Sequence, residues 1–167
     1  MAKPAGAMSK LVAAVVKSPV SEPLYAPCAS CHGSNGEGNQ RLGAPRLAGQ
    51  PGWYIERQLR NWRAGIRGTH SEDIYGMQMR PMSMTLTDEQ AISDVSAYVN
   101  SLQGPVSATT LEGDVTAGKA SYAVCVSCHG ANGEGNKDLN APKLSGLQDW
   151  YIAVSYTHLT LPTTPYV

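Results

Sequence analysis

Apolar residues along the chain recur at the spacing of helices, and they do so in short segments. Ile55, Leu59 and Trp62 stand at i, i+4 and i+7, on one face of a helix that starts near Pro51-Gly52. Ile92, Val95, Val99 and Leu102 form the clearest stripe. Before it, Thr87-Asp88-Glu89-Gln90 has the form of a capping box, and after it Gly104-Pro105 stops the helix. A further helix begins at Ser21 or Glu22 and runs into Cys28-Ala29-Ser30-Cys31-His32. The Gly-rich stretch from Gly33 to Gly43 reads as loop, and so does Met77-Gln78-Met79-Arg80-Pro81-Met82-Ser83-Met84, between the second and third helices. Residues 105–113 read as a linker, after which Asp114 caps the next helix. The pattern is all-α.

The segment from Tyr25 to Ile55 recurs 97 residues later, from Tyr122 to Ile152, without a gap and with 20 of 31 positions identical. So long a period marks a duplicated domain rather than a solenoid repeat. Beyond Ile152 the likeness stops: residues 153–162 share nothing with 56–65, and the position equivalent to Met79 would fall past residue 167. Val154-Ser155-Tyr156-Thr157-His158-Leu159 is also the translation of a transposase end sequence used in preparing sequencing libraries. The expected organisation is therefore a leader or upstream remnant at 1–18 and a first domain at 19–104. A linker at 105–113 leads to an incomplete second domain at 114–153, and 154–167 is an adapter-derived tail. On this reading the second copy lacks most of its second helix and all of its third.

Both copies carry a C-x-x-C-H motif, Cys28-Ala29-Ser30-Cys31-His32 and Cys125-Val126-Ser127-Cys128-His129, and these use all four cysteines. Two thiols three residues apart with an imidazole directly after the second is the spacing that attaches a c-type haem. Each sulfur adds to a vinyl group, and the histidine binds the iron. A dithiol redox site, or a zinc site joining the copies through four thiolates, is the alternative; neither explains the histidine after each pair. An iron held by one histidine also takes a sixth ligand, and a thioether gives the high potential of respiratory carriers. Four methionines in the eight residues from Met77 to Met84 exceed what core filling requires.

Composition narrows the function further. Net charge is zero and charged residues make up 16% of the chain, which argues against a nucleic-acid footprint. No run of apolar residues reaches the roughly 18 needed to span a bilayer. The run from Leu11 to Val16 is shorter than an ordinary signal-peptide core, so no export signal is clearly visible. The chain has no phenylalanine. A haem in each domain would supply apolar mass that the side chains do not.

Taken together, residues 20–153 resemble the dihaem class I cytochromes of the cytochrome c4 type and the related c553-like carriers. The resemblance rests on C-x-x-C-H, the Asn-Gly-x-Gly loop, Ala-Pro-x-Leu-x-Gly, the helix at Tyr54 to Leu59, and the methionines before Leu86-Thr87-Asp88. It implies two tandem cytochrome c-like domains, the second incomplete, with two covalently attached haems c. Cys28, Cys31, Cys125 and Cys128 would carry the thioether bonds, and His32 and His129 would bind iron. Met79, seven residues before Leu86, would be the sixth ligand of the first haem, with Met82 as runner-up. Pro45 and Pro142 would accept a hydrogen bond from the histidines through their carbonyls. The implied function is a monomeric periplasmic carrier that passes single electrons between respiratory partners such as an oxidase or dehydrogenase, without transforming a substrate. A dihaem peroxidase, or a cytochrome subunit of a larger dehydrogenase or oxidase, is the rival.

Overall fold

A computed structural model describes residues 21–106 and 108–159 of the chain, with the side chains of 22–106 and 108–155. The expected leader at 1–18 and the tail beyond 159 lie outside the described residues. Within them the regular elements are helices, accompanied by two isolated β-bridges, Asn39 with Ala44 and Asn136 with Ala141. The first copy holds α1 (Ser21–His32), α2 (Gly52–Arg63), α3 (Ile74–Met84) and α4 (Glu89–Ser101), and the second holds α5 (Val115–Tyr122), α6 (Val126–His129) and α7 (Asp149–Leu159).

The α4 stripe organises the first copy. Ile92, Val95, Val99 and Leu102 are buried, and against them pack Tyr25 from α1 and Ile55 and Leu59 from α2. Trp62 borders the same core, and the Tyr25 and Tyr98 rings lie 5.4 Å apart in a tilted pair. The helix starts one residue later than a Thr87 capping box would place it. Asp88 is the N-cap, its carboxylate accepting from Ala91 N–H at 2.8 Å, because a carboxylate also complements the positive end of the helix.

The methionine stretch, expected as a loop, is instead most of α3. Asp73 nucleates it: one carboxylate oxygen accepts from Gly76 N–H and the other from Gly68 N–H, tying the helix start to the preceding turn. Gly76 and Pro81 are poor helix formers, which hides the element from a propensity argument. α3 in turn dictates Gly43. That residue is left-handed at φ 64°, and a Cβ there would overlap the Tyr75 ring. The equivalent Asn140 keeps the same conformation at φ 56°, where an asparagine is tolerated once no α3 counterpart presses on it among the described residues.

The second copy repeats the loops of the first but not its core. Leu102 and Gly104 lie against Gly36, Asn35 and Ala48 in the first copy, whereas Tyr122, Asn132, Gly133, Leu144 and Ser145 line an open hollow in the second. Val115 and Val124 are 85% and 82% exposed. The second helix of this copy is longer than the repeat alone allows: α7 continues to Leu159, seven residues past the end of the likeness in sequence, since no glycine or proline intervenes before Pro162.

The two copies meet through equivalent residues, as around a pseudo-two-fold axis. Arg46 donates to Gly146 O at 3.0 Å, and Lys143, its counterpart, donates to Gly49 O at 3.2 Å. Gln50 adds a bond to Lys143 O, and within the first copy Arg46 is held by a bond to Gly104 O. Burial raises the Tyr54 phenol, with Tyr151, the same position on α7, adding to the shift. The linker is strapped to the second copy by Asp149, whose carboxylate accepts from Thr110 N–H, Thr110 Oγ1–H and Leu111 N–H. Those donors hold its carboxyl down at about 2.

Since α4 carries the core, Ile92→Ala should lower the unfolding free energy of the haem-loaded protein by about 3 kcal/mol. Val115→Ala should stay within about 0.5 kcal/mol. Denaturant titration followed by tryptophan fluorescence measures both.

Candidate functional site

Helix α1 delivers Cys28, Cys31 and His32 at its C-terminal end. Gly33, at φ 80°, breaks the helix, and Tyr25 Oη–H holds the break by donating to Gly33 O at 2.7 Å. The following loop folds back on the motif. Gly38 N–H donates to His32 O, Glu37 accepts from Asn35 N–H, and Asn39 pairs with Ala44 in both directions. These bonds bring the Pro45 carbonyl against the imidazole, where it accepts from His32 Nδ1–H at 2.8 Å. A carbonyl can only accept, so the proton sits on Nδ1 and the Nε2 lone pair is free. Nε2 is buried without any hydrogen-bond partner. Burial lowers the pKa of His32, partly opposed by the Pro45 bond, so the neutral ring persists further into acid than in water.

The second copy repeats these hydrogen bonds, with His129 half-buried where His32 is buried. His129 Nδ1–H donates to Pro142 O at 2.8 Å, Gly135 N–H to His129 O, and Tyr122 Oη–H to Gly130 O at 2.7 Å. Its motif helix is broken into α5 and α6 around Ala123–Cys125, where α1 is continuous and braced by α4.

Cys28 and Cys125 are half-buried, Cys31 and Cys128 exposed, and all four are free thiols. Burial pushes the Cys28 thiol up, the reverse of the shift that activates a dithiol redox site. Among the described residues no three His, Cys, Asp or Glu side chains converge as a metal site, so the four thiols are not gathered around a zinc position. On α3, Met79 is half-buried and shares a face with buried Gly76 and Ser83; Met82 is half-buried and turned further from it, while Met77 and Met84 are exposed.

The first copy also holds a group of buried donors, of which sequence reasoning missed the three arginines. Trp62 Nε1 and guanidinium nitrogens of Arg63, Arg67 and Arg80 are buried without partners. Arg67 lies 4.5 Å over the Trp62 ring and donates to Gln58. Unpaired buried N–H groups suit anionic acceptors. Arg46, by contrast, lies between the copies, Arg41 is exposed, and Trp53 stacks edge-on with Tyr54. A haem, with an iron, two vinyl groups and carboxylates, fits this set: a buried free imidazole nitrogen, two thiols within one helical turn before it, and unsatisfied donors.

The Cytochrome c family model matches residues 22–103 and 115–157. Cytochrome c4 from Azotobacter vinelandii is 32% identical over 141 residues, covering 78% of this chain and 66% of that protein. The cbb3-type cytochrome c oxidase subunit FixP from Sinorhizobium medicae is 35% identical over 122 residues, covering 71% and 40%. The chain thus spans about two thirds of the first relative's length and two fifths of the second's. The solved cytochrome c4 of Acidithiobacillus ferrooxidans superposes with a TM-score of 0.70 at 27% identity, covering 85% of each chain. The chain belongs to the cytochrome c family, as a two-domain member of the cytochrome c4 type.

Proposed function

We propose that the chain is a two-haem carrier of single electrons, and the observation that supports this best is the His32 imidazole. Its Nδ1 is held by Pro45 O and its Nε2 is buried without a partner, and the Nδ1 bond is repeated at His129. When bound, each haem c supplies an iron that cycles between ferric and ferrous. The residues of the chain fasten and tune it. Cys28 and Cys31, and likewise Cys125 and Cys128, would hold the haem through thioether bonds, while His32 and His129 would present Nε2 to iron. Pro45 and Pro142 fix the plane of each ring and increase its donor strength. Met79 would supply the thioether to the first haem, which its place on the buried side of α3, nearer that side than Met82, supports. Trp62, Arg63, Arg67 and Arg80 offer donors to the haem carboxylates. The units are 19–104 and 114–153, joined by 105–113, with 154–167 a foreign tail.

Partners on this reading are an oxidase or dehydrogenase in the bacterial periplasm, which the monomeric carrier visits in turn. The similarity to FixP, an oxidase subunit by its name, supports an oxidase among them. No helix among the described residues is long and apolar enough to cross a membrane.

Reductive titration of the haem-loaded chain should take up two electrons per chain reversibly, and reoxidation by a cytochrome oxidase should proceed without conversion of any other substrate. Sustained peroxide turnover would instead make it an enzyme. Met79→Ala should abolish the weak far-red band of methionine-ligated ferric haem and lower the midpoint potential of the first haem, whereas Met82→Ala should keep both. Visible spectroscopy of the oxidised proteins reads the outcome.

A further inference from the structure

The amide between Pro45 and Arg46 is bonded at both ends. Its carbonyl accepts from His32 Nδ1–H at 2.8 Å, and its N–H donates to Gln148 Oε1 at 2.7 Å. Gln148 belongs to the other copy. Its side chain is buried and its own amide N–H returns to Glu37 O at 3.0 Å, in the loop that closes over His32. The glutamine is thus wedged into the first copy by two bonds of opposite sense, which fixes which end of its amide faces Arg46.

We propose that Gln148 tunes the first haem across the domain boundary, acting through the Pro45–Arg46 amide on the His32 imidazole. Accepting a hydrogen bond from the N–H of an amide draws electron density toward its carbonyl oxygen, and hydrogen bonds in series strengthen one another by tens of per cent. A stronger acceptor at Nδ1–H gives the imidazole more anionic character, and that favours ferric over ferrous iron. The arrangement has no mirror image. The position equivalent to Gln148 in the first copy is Pro51, which has no side-chain amide, and Gln50 reaches Lys143 O rather than the Pro142–Lys143 amide. One of two nearly identical sites is therefore held at a lower potential than its own domain would set, and only while the two copies are docked. Gln148 is a positioning residue: it touches neither haem nor iron.

This rests on His32 being the iron ligand, and the test separates the two ideas. Haem-loaded wild-type and variant chains are titrated by NMR, with haem methyl resonances reporting each haem separately and the His32 Nδ1 proton reporting its hydrogen bond. Gln148→Leu should raise the reduced-to-oxidised ratio of the first haem about threefold at fixed potential, or about 28 mV at 59 mV per decade. The second haem should stay in place and the Nδ1 proton should move upfield. Gln148→Glu retains an acceptor for Arg46 N–H and should move that proton downfield. Gln50→Leu removes another buried interface bond without touching the Pro45–Arg46 amide and should leave both readouts unchanged. An unmoved first haem and Nδ1 proton in the Gln148 variants, or equal shifts of both haems in Gln148→Leu and Gln50→Leu, would overturn the proposal. Absence of haem from the first motif in the wild type would overturn the ligand reading instead.

Discussion

The hydrogen bond from His32 Nδ1–H to the Pro45 carbonyl is the constraint on which the first copy turns. It fixes the tautomer, aims a basic nitrogen into a buried space and keeps the ring from rotating. Thirteen residues separate the two groups, and the loop between them serves to close that gap. Gly33 ends the helix, Glu37 and the Asn39–Ala44 bridge tighten the turn, and Gly43 allows α3 to press against it. The same hydrogen bonds recur around His129 and Pro142, and nine of the thirteen positions from Gly33 to Pro45 are identical in the repeat.

The two copies differ in how that construction is supported. In the first, α4 provides a core of Ile92, Val95, Val99 and Leu102, and α1 leans on it without a break. In the second, the loop stands on its own bonds and on the first copy, through Gln148, Lys143 and the strapped linker at Asp149. The pseudo-two-fold contact therefore works in both directions. The first copy shelters Gln148, and Gln148 in return completes the bonding of the loop over His32.

Much of this was legible in the residues, because it depends on local spacing. The C-x-x-C-H pairs, the 97-residue offset and the α4 stripe are statements about positions near one another or strictly repeated, and the structure places each as the spacing implies. Helix α3 was not legible, since Gly76 and Pro81 oppose it and the Asp73 cap works partly through Gly68, a tertiary tie. The unpaired donors of Arg63, Arg67 and Arg80 depend on burial, which arginine spacing does not reveal. For Gln148 a signal did exist, as a polar residue in place of Pro51, but its neighbours Leu147 and Asp149 differ from the first copy as well. Its meaning needed the docked second copy to be seen.

The central claim is that both half-bonded histidines belong to haem-attachment sites, and intact mass measurement tests it most directly. Expressed with a periplasmic c-haem maturation system, the chain should gain the mass of two haems, and one when Cys28 and Cys31 are both replaced by serine. An unchanged apo mass in the wild-type chain would contradict the account.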